Sequence, residues 1–312
     1  GVGLAPPALT LLTDATLTAD AAQRLAELAG TVPRPRTVLL QLLQAGDDPL
    51  ELARIVATDP STVAQLLRAV NSAQFGLSRE ITSVQHAITY LGANLVRDIA
   101  VRHALTVAPG EVDAAVRQVQ RDLWATSYLA SAITFALAQQ LRLAGAADLS
   151  TQALLFGLGD LALVARYPQL AALYRSGAVL GDRVAAVQNE LGLNAALAGA
   201  HLARAWELPR RLGDVLAASL APVVCAPDAI DAGLLPAVTI GYFANRLGET
   251  LATQSRFELR AALDGLAAEP AMALLPTYLA AVRLDSPGPV LLDPAVERRL
   301  AAVHASVRPA AG

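Results

Sequence analysis

Hydrophobic and polar positions along this chain recur with the period of an α-helix. After Asp59, apolar residues fall at i, i+3, i+4 and i+7, which places them on one helical face: Val63, Leu66, Leu67 and Val70. A second apolar stripe belongs to a helix that we expect to begin at Ser83: Ile88, Leu91, Leu95 and Ile99. No stretch sustains strict two-residue alternation. The pattern therefore predicts an all-α protein without a sheet.

Three Asp-Pro pairs mark helix starts: Asp48–Pro49, Asp59–Pro60 and Asp293–Pro294. An aspartate before a helix accepts hydrogen bonds from free backbone N–H groups, and proline fits the first turn because no N–H is needed there. We therefore expect helices to begin at these prolines.

Further helices are predicted from periodicity and from glycine and proline breaks. In the middle of the chain they cover approximately residues 112–143, 150–165, 168–175, 182–191, 194–206 and 209–220. Towards the end they cover approximately residues 237–247, 256–268, 271–282 and 294–307. The organisation predicted from these elements is an N-terminal extension, a domain of two helical sub-bundles, and C-terminal helices packed on it: 1–31, 32–225 (sub-bundles 32–108 and 109–225) and 226–312.

Composition supports a globular helical protein and argues against a membrane span. Hydrophobic residues make up 54% of the chain but aromatic residues only 4%, a balance that favours helix over strand. Mean hydropathy is +0.44, and the uncharged stretch Leu123–Leu141 is the best candidate span. It contains several Ser, Thr and Gln residues, whereas a span needs about 20 predominantly apolar residues. We therefore expect a buried helix, and no secretory signal pattern is visible.

Charge and cysteine usage exclude several classes of function. Cys225 is the single cysteine, which excludes an internal disulfide or a cysteine-based zinc cluster and favours the cytoplasm. The chain has no lysine and a net charge of -3, so it lacks a P-loop lysine and the basic stripe of a nucleic-acid binder. A loose helix-turn-helix reading of Asp59–Gly92 fails because the connecting segment is too long for a tight turn. No DNA partner is expected.

The segment Ala153–Leu163, ALLFGLGDLAL, places two glycines in helical sequence, each costing about 1 kcal/mol relative to alanine. Either a metal-binding segment has lost its ligands, or the glycines allow close helix packing. The chain has four histidines: His86, His103, His201 and His304. No two of them are three or four residues apart, so no pair on one helix face is available to bind a metal. No G-x-S-x-G nucleophile motif is present either.

Three short motifs follow one another in the first part of the chain: N-S-A-x-[FY]-G at 71–76, I-T-S at 81–83 and A-I-x-x-L-G at 87–92. Together they resemble the HDOD domain, the HD-related output domain of bacterial signalling proteins, and the resemblance covers about 32–222. The family-motif positions are Asn71, Ser72, Gly76, Ile81, Ser83, Ala87, Leu91 and Gly92.

The resemblance implies that a metal site of the related HD phosphohydrolases has been lost. Positions similar to the metal ligands of those enzymes carry other residues here: Thr126, Phe156, Gly157, Asn194, Ser219 and Leu220. Gly157 and Gly159 are then expected to be close helix contacts, and the nearby Asp160 a surface or loop-facing acid. No metal, no cofactor and no catalytic residue is expected.

The resemblance also implies a non-catalytic signal-transduction module that binds a regulatory or signalling protein. The expected contact surface surrounds the turn after residue 71, with Gln74, Phe75 and Arg79; alternatively, Phe75 fills the junction between the two sub-bundles. A second hypothesis is a phosphohydrolase-related enzyme that uses Asp160, His201 or His103. A third is nucleotide binding without turnover.

Overall fold

The regular structure of the chain is α-helical in the computed structural model, which describes residues 9–31, 37–72, 75, 77–105 and 112–307. No strand occurs among these residues, and the prediction of an all-α protein is confirmed. Gln74 and Gly76, two positions singled out in the sequence, lie outside the described residues.

Helix α1 (Ala19–Thr31) lies in the predicted N-terminal extension. The described part of the first sub-bundle contains five helices: α2 (Val38–Gln44), α3 (Pro49–Ala57), α4 (Pro60–Val70), α5 (Val84–Leu91) and α6 (Ala93–Ala104). The expected caps are present: the carboxylate of Asp48 accepts from the Leu50 backbone N–H at 2.9 Å. Asp59 accepts from Ser61 at 3.3 Å. Local capping therefore fixes where α3 and α4 begin.

The single helix expected from Ser83 onward is in fact two helices. Gly92 separates α5 from α6 and has φ of 87°, a backbone conformation that glycine adopts readily and other residues do not. The apolar stripe continues across this break, because Ile88 and Ile99 are both buried. Periodicity alone therefore concealed the turn.

Asn71 holds the loop between α4 and α5 in place. Its side-chain N–H donates to the Ile81 carbonyl at 2.7 Å, and its side-chain oxygen accepts from the Ile81 N–H at 2.7 Å. Ile81 is 2% exposed, so its backbone groups have little access to water. At the end of the loop, Ser83 caps α5 by accepting from the His86 N–H at 3.1 Å. Two of the family-motif positions, Asn71 and Ser83, therefore stabilise this segment by hydrogen bonds, one within the loop and one at the start of α5.

Replacing Asn71 with alanine is expected to lower the free energy of unfolding by about 2 kcal/mol, because both Ile81 backbone groups lose their partner. Urea denaturation measures this loss. Asn189→Ala is the matched control, since Asn189 is exposed on a helix, and it should change stability by less than about 0.5 kcal/mol. Equal stability of the two variants would show that the Asn71 bridge does not stabilise the loop.

The remaining helices form the second sub-bundle and the C-terminal part. The second sub-bundle contains α7 (Ala114–Gln140), α8 (Ala146–Leu155), α9 (Leu158–Arg166), α10 (Ala171–Arg175), α11 (Leu180–Leu191), α12 (Ala195–Ala205) and α13 (Arg210–Ala217). The C-terminal helices are α14 (Leu235–Thr253), α15 (Leu259–Ala267), α16 (Leu275–Ala281), α17 (Gly288–Leu291) and α18 (Pro294–Val307). The predicted helix over 150–165 is interrupted at Phe156–Gly157, where α8 ends and α9 begins.

The long helix α7 is the centre of the fold. It packs against α6 of the first sub-bundle, against α8 and α9, and against α14 and α18 of the C-terminal part. Its residues contribute to two large apolar clusters, one on each side: Trp124 and Tyr128 to the first, Leu129 and Ile133 to the second. The C-terminal helices thus pack on the domain as expected, and the boundary between 225 and 226 stays a prediction.

Polar side chains join the two sub-bundles beside α7. Asn94 donates to the Ser131 hydroxyl at 3.3 Å and accepts from the Ser150 hydroxyl at 3.0 Å. Next to them, Arg97 and Asp98 are each only 1% exposed. Burial raises the pKa of Asp98 well above its usual value, while hydrogen bonding to Ser131 and the charge of Arg97 oppose this. The interface between the sub-bundles therefore contains a hydrogen-bonded polar network.

Gly159 provides the close helix contact that was expected of both glycines. A Cβ on Gly159 would lie 1.8 Å from the Ala195 carbonyl oxygen, and Gly199 faces it from the same helix, α12. Gly157 differs, because a Cβ there would meet only the Ser127 hydroxyl, at 3.3 Å. The expected close approach of helix backbones is therefore found at Gly159, whereas Gly157 faces a side chain and borders a cavity described below.

Within the described residues, one stretch is long and apolar enough to cross a membrane, Ala146–Arg166. It is not the candidate Leu123–Leu141 chosen from the sequence. Within it, 78% of the most apolar window is buried inside the protein. A buried core helix satisfies the same length and composition test.

Candidate functional site

A cavity of about 120 Å³ lies where α7, the α8–α9 junction, the end of α13 and α14 meet. Its lining includes five of the six positions that the resemblance identified as former metal ligands: Thr126, Phe156, Gly157, Ser219 and Leu220. These residues are far apart in the sequence, and the fold brings them together. We call this cavity the central cavity.

Asn194, the sixth position, does not line the central cavity, although its neighbour Ala195 does. Asn194 caps α12, accepting from the Leu197 N–H at 3.0 Å. Its side-chain N–H group donates to the Leu12 carbonyl at 3.1 Å and to the Gln188 side-chain oxygen at 2.9 Å. It therefore anchors the N-terminal segment and has a structural role.

Phe156 and Gly157 form the turn at one wall of the central cavity. The ring of Phe156 packs directly on Gly241 of α14, where an added Cβ would lie 2.5 Å from the ring. An aromatic ring has no lone pair to offer a cation, and Gly157 has no side chain. The wall is thus built from apolar packing at two of the positions that the resemblance likens to metal ligands.

Asp160 is not the surface acid that was expected. It lines the central cavity and accepts a short hydrogen bond from the Tyr174 hydroxyl. Burial raises the pKa of Asp160, and the positive charge of Arg183 and the bond from Tyr174 oppose that change. Burial also raises the pKa of Tyr174 well above its usual value. Tyr174 follows in the next helix, so sequence proximity gave no indication of the pair.

Two arginines and a glutamate form an ion-pair network on another wall. Arg183 of α11 holds Glu249 of α14 with two hydrogen bonds, at 2.7 and 3.2 Å. Arg246 forms a short ion pair with the same carboxylate and lies 3.6 Å from that of Glu269. The guanidinium of Arg183 also stacks on the Tyr174 ring, at 4.7 Å. The network therefore ties α10 and α11 to α14.

The network strongly favours the charged form of Glu249. Burial alone would raise the pKa of Glu249, but the guanidinium groups of Arg183 and Arg246 outweigh burial and lower it to about 2. Burial likewise opposes the charge of Arg183, yet its pKa lies above the usual value because Glu249 stabilises the cation. Opposite charges thus compensate the cost of burying these groups.

The residues that line the central cavity do not fit a divalent cation. Among the described residues, no group of three or more His, Cys, Asp or Glu side chains is placed to hold a metal. Asp160 is hydrogen-bonded by Tyr174, and Glu249 is paired with two arginines. A site for a dication needs several convergent donors and tolerates guanidinium groups poorly.

The histidines lie elsewhere in the described structure. His103 lines a different cavity, between α6 and α7, and His86 is exposed. His304 is buried, with a ring nitrogen 3.0 Å from the Leu251 carbonyl oxygen. Burial lowers the pKa of His201, and the neighbouring Arg204 lowers it further. The fold does not bring His103 or His201 to the central cavity.

Only part of the expected partner surface lines a groove of the structure. Phe75 is half-buried, packs against the first apolar cluster, and lines a groove of about 780 Å³ between the α5–α6 junction, α7 and α18. Tyr90, which is 60% exposed, lines the same groove. Arg79 is exposed and does not line it. Phe75 therefore packs on the first apolar cluster and also borders a surface groove.

Sequence reasoning missed four cavity residues that share one face of α14. Their spacing of i, i+3, i+4 and i+7 brings them to the cavity together: Tyr242, Asn245, Arg246 and Glu249. The pair Arg246 and Glu249, three residues apart, was a visible signal for an ion pair on a helix. Arg183 had no such signal, because its partner lies 66 residues away.

The family model of the HDOD domain matches residues 13–222 of this chain. Among curated proteins, the chain is similar to an uncharacterized protein of Treponema pallidum (strain Nichols), at 26% identity over 208 residues. The similar region covers 62% of this chain and 38% of that protein, so the chain spans about two fifths of its curated relative.

Two crystal structures have a similar fold over most of this chain. An HDOD domain protein with unknown function from Geobacter sulfurreducens has a TM-score of 0.59 and 19% identity, covering 91% of this chain and 98% of its own. A "putative phosphohydrolase" from Shewanella amazonensis SB2B has a TM-score of 0.58 and 19% identity, covering 93% and 98%. At this level of identity the likeness concerns the fold.

Proposed function

This chain belongs to the HDOD domain family, and from that premise we propose that it is a non-catalytic signal-transduction module that acts by contact with another protein. The function rests on shape and surface instead of bond-breaking chemistry. The whole protein's pathway and partner are part of this proposal, since the curated relative is much longer than the matched region.

The observation that carries the proposal is the chemistry of the central cavity. Where related hydrolases hold metal ligands, this chain has a phenyl ring, a glycine, hydroxyl groups and a leucine, with paired arginines beside them. A phenyl ring packed on Gly241 and an arginine–glutamate network stabilise helix packing. These contacts support a scaffold in which the former reaction centre has become part of the core.

The groove beside Phe75 is the surface that we assign to the partner. It is lined mainly by apolar side chains from α7, α18 and the α5–α6 junction, and it exposes Tyr90. Exposed apolar grooves of this size are typical of protein contact sites. The occupant that fits this lining is an apolar helix face of a regulatory or signalling protein.

The test compares two exposed apolar residues, one inside the groove and one outside. Tyr90→Asp places a charge in the groove, whereas Leu50→Asp places the same charge on α3, where Leu50 is 69% exposed. Crosslinking in the native cell, followed by mass spectrometry, should give a partner retained by wild type and Leu50→Asp. Tyr90→Asp should reduce its yield at least about tenfold, because a charge is costly to bury in an apolar contact.

Both variants should keep the melting temperature of wild type, since each changed side chain is exposed. Equal capture by the two variants would contradict the groove as the contact surface. Capture of only chaperones and ribosomal proteins by wild type would contradict the proposed function itself.

A phosphohydrolase-related enzyme is the second candidate, favoured by the carboxylates of Asp160 and Glu249 at the central cavity. It predicts hydrolysis of a phosphate ester with added manganese, and loss of that activity in Asp160→Asn. We expect no hydrolysis above the level of this variant. A rate that depends on both manganese and Asp160 would favour the enzyme over the scaffold.

A further inference from the structure

A second cavity, separate from the central cavity and the groove, is lined by three arginines. It has a volume of about 370 Å³ and lies between the end of α6, the first half of α7 and α9. Arg102 comes from α6, Arg117 and Arg121 from α7, and Leu161 of α9 contributes an apolar contact. We call it the arginine cavity.

The described residues that line the arginine cavity carry three positive charges and include no acidic side chain. No Asp or Glu is among its described lining residues, and no carboxylate there pairs with any of the three guanidinium groups. Arg121 donates to the Gln118 side-chain oxygen at 2.6 Å, and Gln118 in turn donates to the Asp122 carboxylate at 2.8 Å. The nearby Asp122 lines the central cavity instead. Three positive charges therefore converge in a chain whose net charge is -3.

Arg102 is held in position before any ligand arrives. Its guanidinium lies 5.4 Å from the centre of the Trp124 ring and 5.8 Å from that of Tyr128, both within the range of cation–π attraction. Because the Trp124 ring is covered in this way and only 9% exposed, it offers no free face for a base to stack on. Ligand recognition at this cavity therefore does not use stacking on the Trp124 ring, and the three guanidinium groups are its charged donors.

Guanidinium groups that converge without carboxylates are suited to phosphate. Each presents a planar fork of donors that matches two phosphate oxygens and keeps its charge at any physiological pH. The volume of the cavity is that of a small-molecule site. A nucleic acid needs a longer basic track than these three residues supply.

We propose that the arginine cavity binds the di- or triphosphate group of a small molecule. The site is made by helices of both sub-bundles, α6 on one side and α7 and α9 on the other, so a bound phosphate group bridges them. This inference goes beyond the proposed function, because it assigns the module a ligand in addition to a protein partner.

The experiment is isothermal titration of the full chain with inorganic pyrophosphate, with ATP and with adenosine, in the absence of divalent cations. Pyrophosphate and ATP should bind and raise the melting temperature, whereas adenosine should do neither. Affinity should fall as salt is increased, because the contact is between charges. Failure of pyrophosphate and ATP to bind would overturn the proposal and leave the test of the groove unaffected.

Charge-reversal variants distinguish a specific phosphate site from general electrostatic attraction to the protein surface. The double variant Arg117→Glu with Arg121→Glu changes two exposed cavity residues and should weaken binding at least about a hundredfold, since two charge-assisted contacts are lost. Arg256→Glu with Arg260→Glu makes the same change in net charge at exposed residues outside the cavity. This control should weaken binding less than about threefold, because charges outside the cavity act on the ligand only at long range, where salt screens them. Equal weakening in the two double variants would overturn the site.

Discussion

Replacing Gly159 with alanine is expected to lower the free energy of unfolding by about 3 kcal/mol or more. The added Cβ would lie 1.8 Å from the Ala195 carbonyl oxygen and 2.9 Å from the Gly199 backbone nitrogen. Both opposing atoms belong to the backbone of α12, so no side chain can turn aside to make room. Helices α9 and α12 must separate, and the apolar residues packed around their crossing lose contacts.

Gly265→Ala is the matched control for this substitution. Gly265 also lies inside a helix, α15, but a Cβ there would meet no atom within 4 Å. It should leave stability unchanged or raise it by up to about 1 kcal/mol, because alanine favours helix. Urea denaturation of both variants measures the contrast. A Gly159→Ala protein as stable as wild type would mean that the close crossing is not present.

Replacing Glu249 with glutamine is expected to cost about 3 kcal/mol at pH 7. Glutamine keeps the shape of the side chain but removes the charge that compensates Arg183 and Arg246, and uncompensated buried charges are costly. Arg183 and Arg246 are only 9% and 11% exposed in their side chains, whereas Glu249 is 31% exposed. Partial access to water at Glu249 places the cost near the lower end of the range for buried pairs.

The cost of Glu249→Gln should depend on pH in a defined direction. The pKa of Glu249 is lowered to about 2 in the folded chain, from 4.5 as the reference value for an unpaired glutamate. A lowered pKa stabilises the fold above the unfolded pKa, and this stabilisation is lost as the pH falls through the folded pKa. The difference between wild type and variant should therefore be full above pH 5 and shrink as the pH approaches 2.

Glu80→Gln supplies the control, because Glu80 is exposed and outside the network. It should change stability by less than about 0.5 kcal/mol at any of these pH values. Denaturation curves at several pH values give both comparisons. A cost of Glu249→Gln that is independent of pH would contradict the assigned ion pairs.

Helix positions were predictable wherever the signal is local. Asp293 accepts from the Ala295 N–H at 2.8 Å, and α18 runs over Pro294–Val307, the range predicted from the sequence. The two missed breaks, at Gly92 and at Phe156–Gly157, lie within continuous apolar patterns. A hydrophobic stripe continues across a short turn when both flanking helices face the same core, so periodicity cannot reveal it.

The central cavity was predictable in part, through the resemblance. Five of the six positions that the resemblance likens to metal ligands line it. Asn194 was misplaced because a residue beside a ligand position caps the helix instead. The Asp160–Tyr174 and Arg183–Glu249 pairs join different helices, and pairing at that distance leaves no pattern in one sequence.

The most direct test of the account is the metal content of the purified chain after exposure to manganese or ferrous iron and subsequent dialysis. Elemental analysis should find far less than one ion per chain, and manganese should leave the melting temperature unchanged, because paired arginines and a phenyl ring line the central cavity. One or two ions per chain, lost in Asp160→Asn, would contradict the claim that this cavity is a structural core.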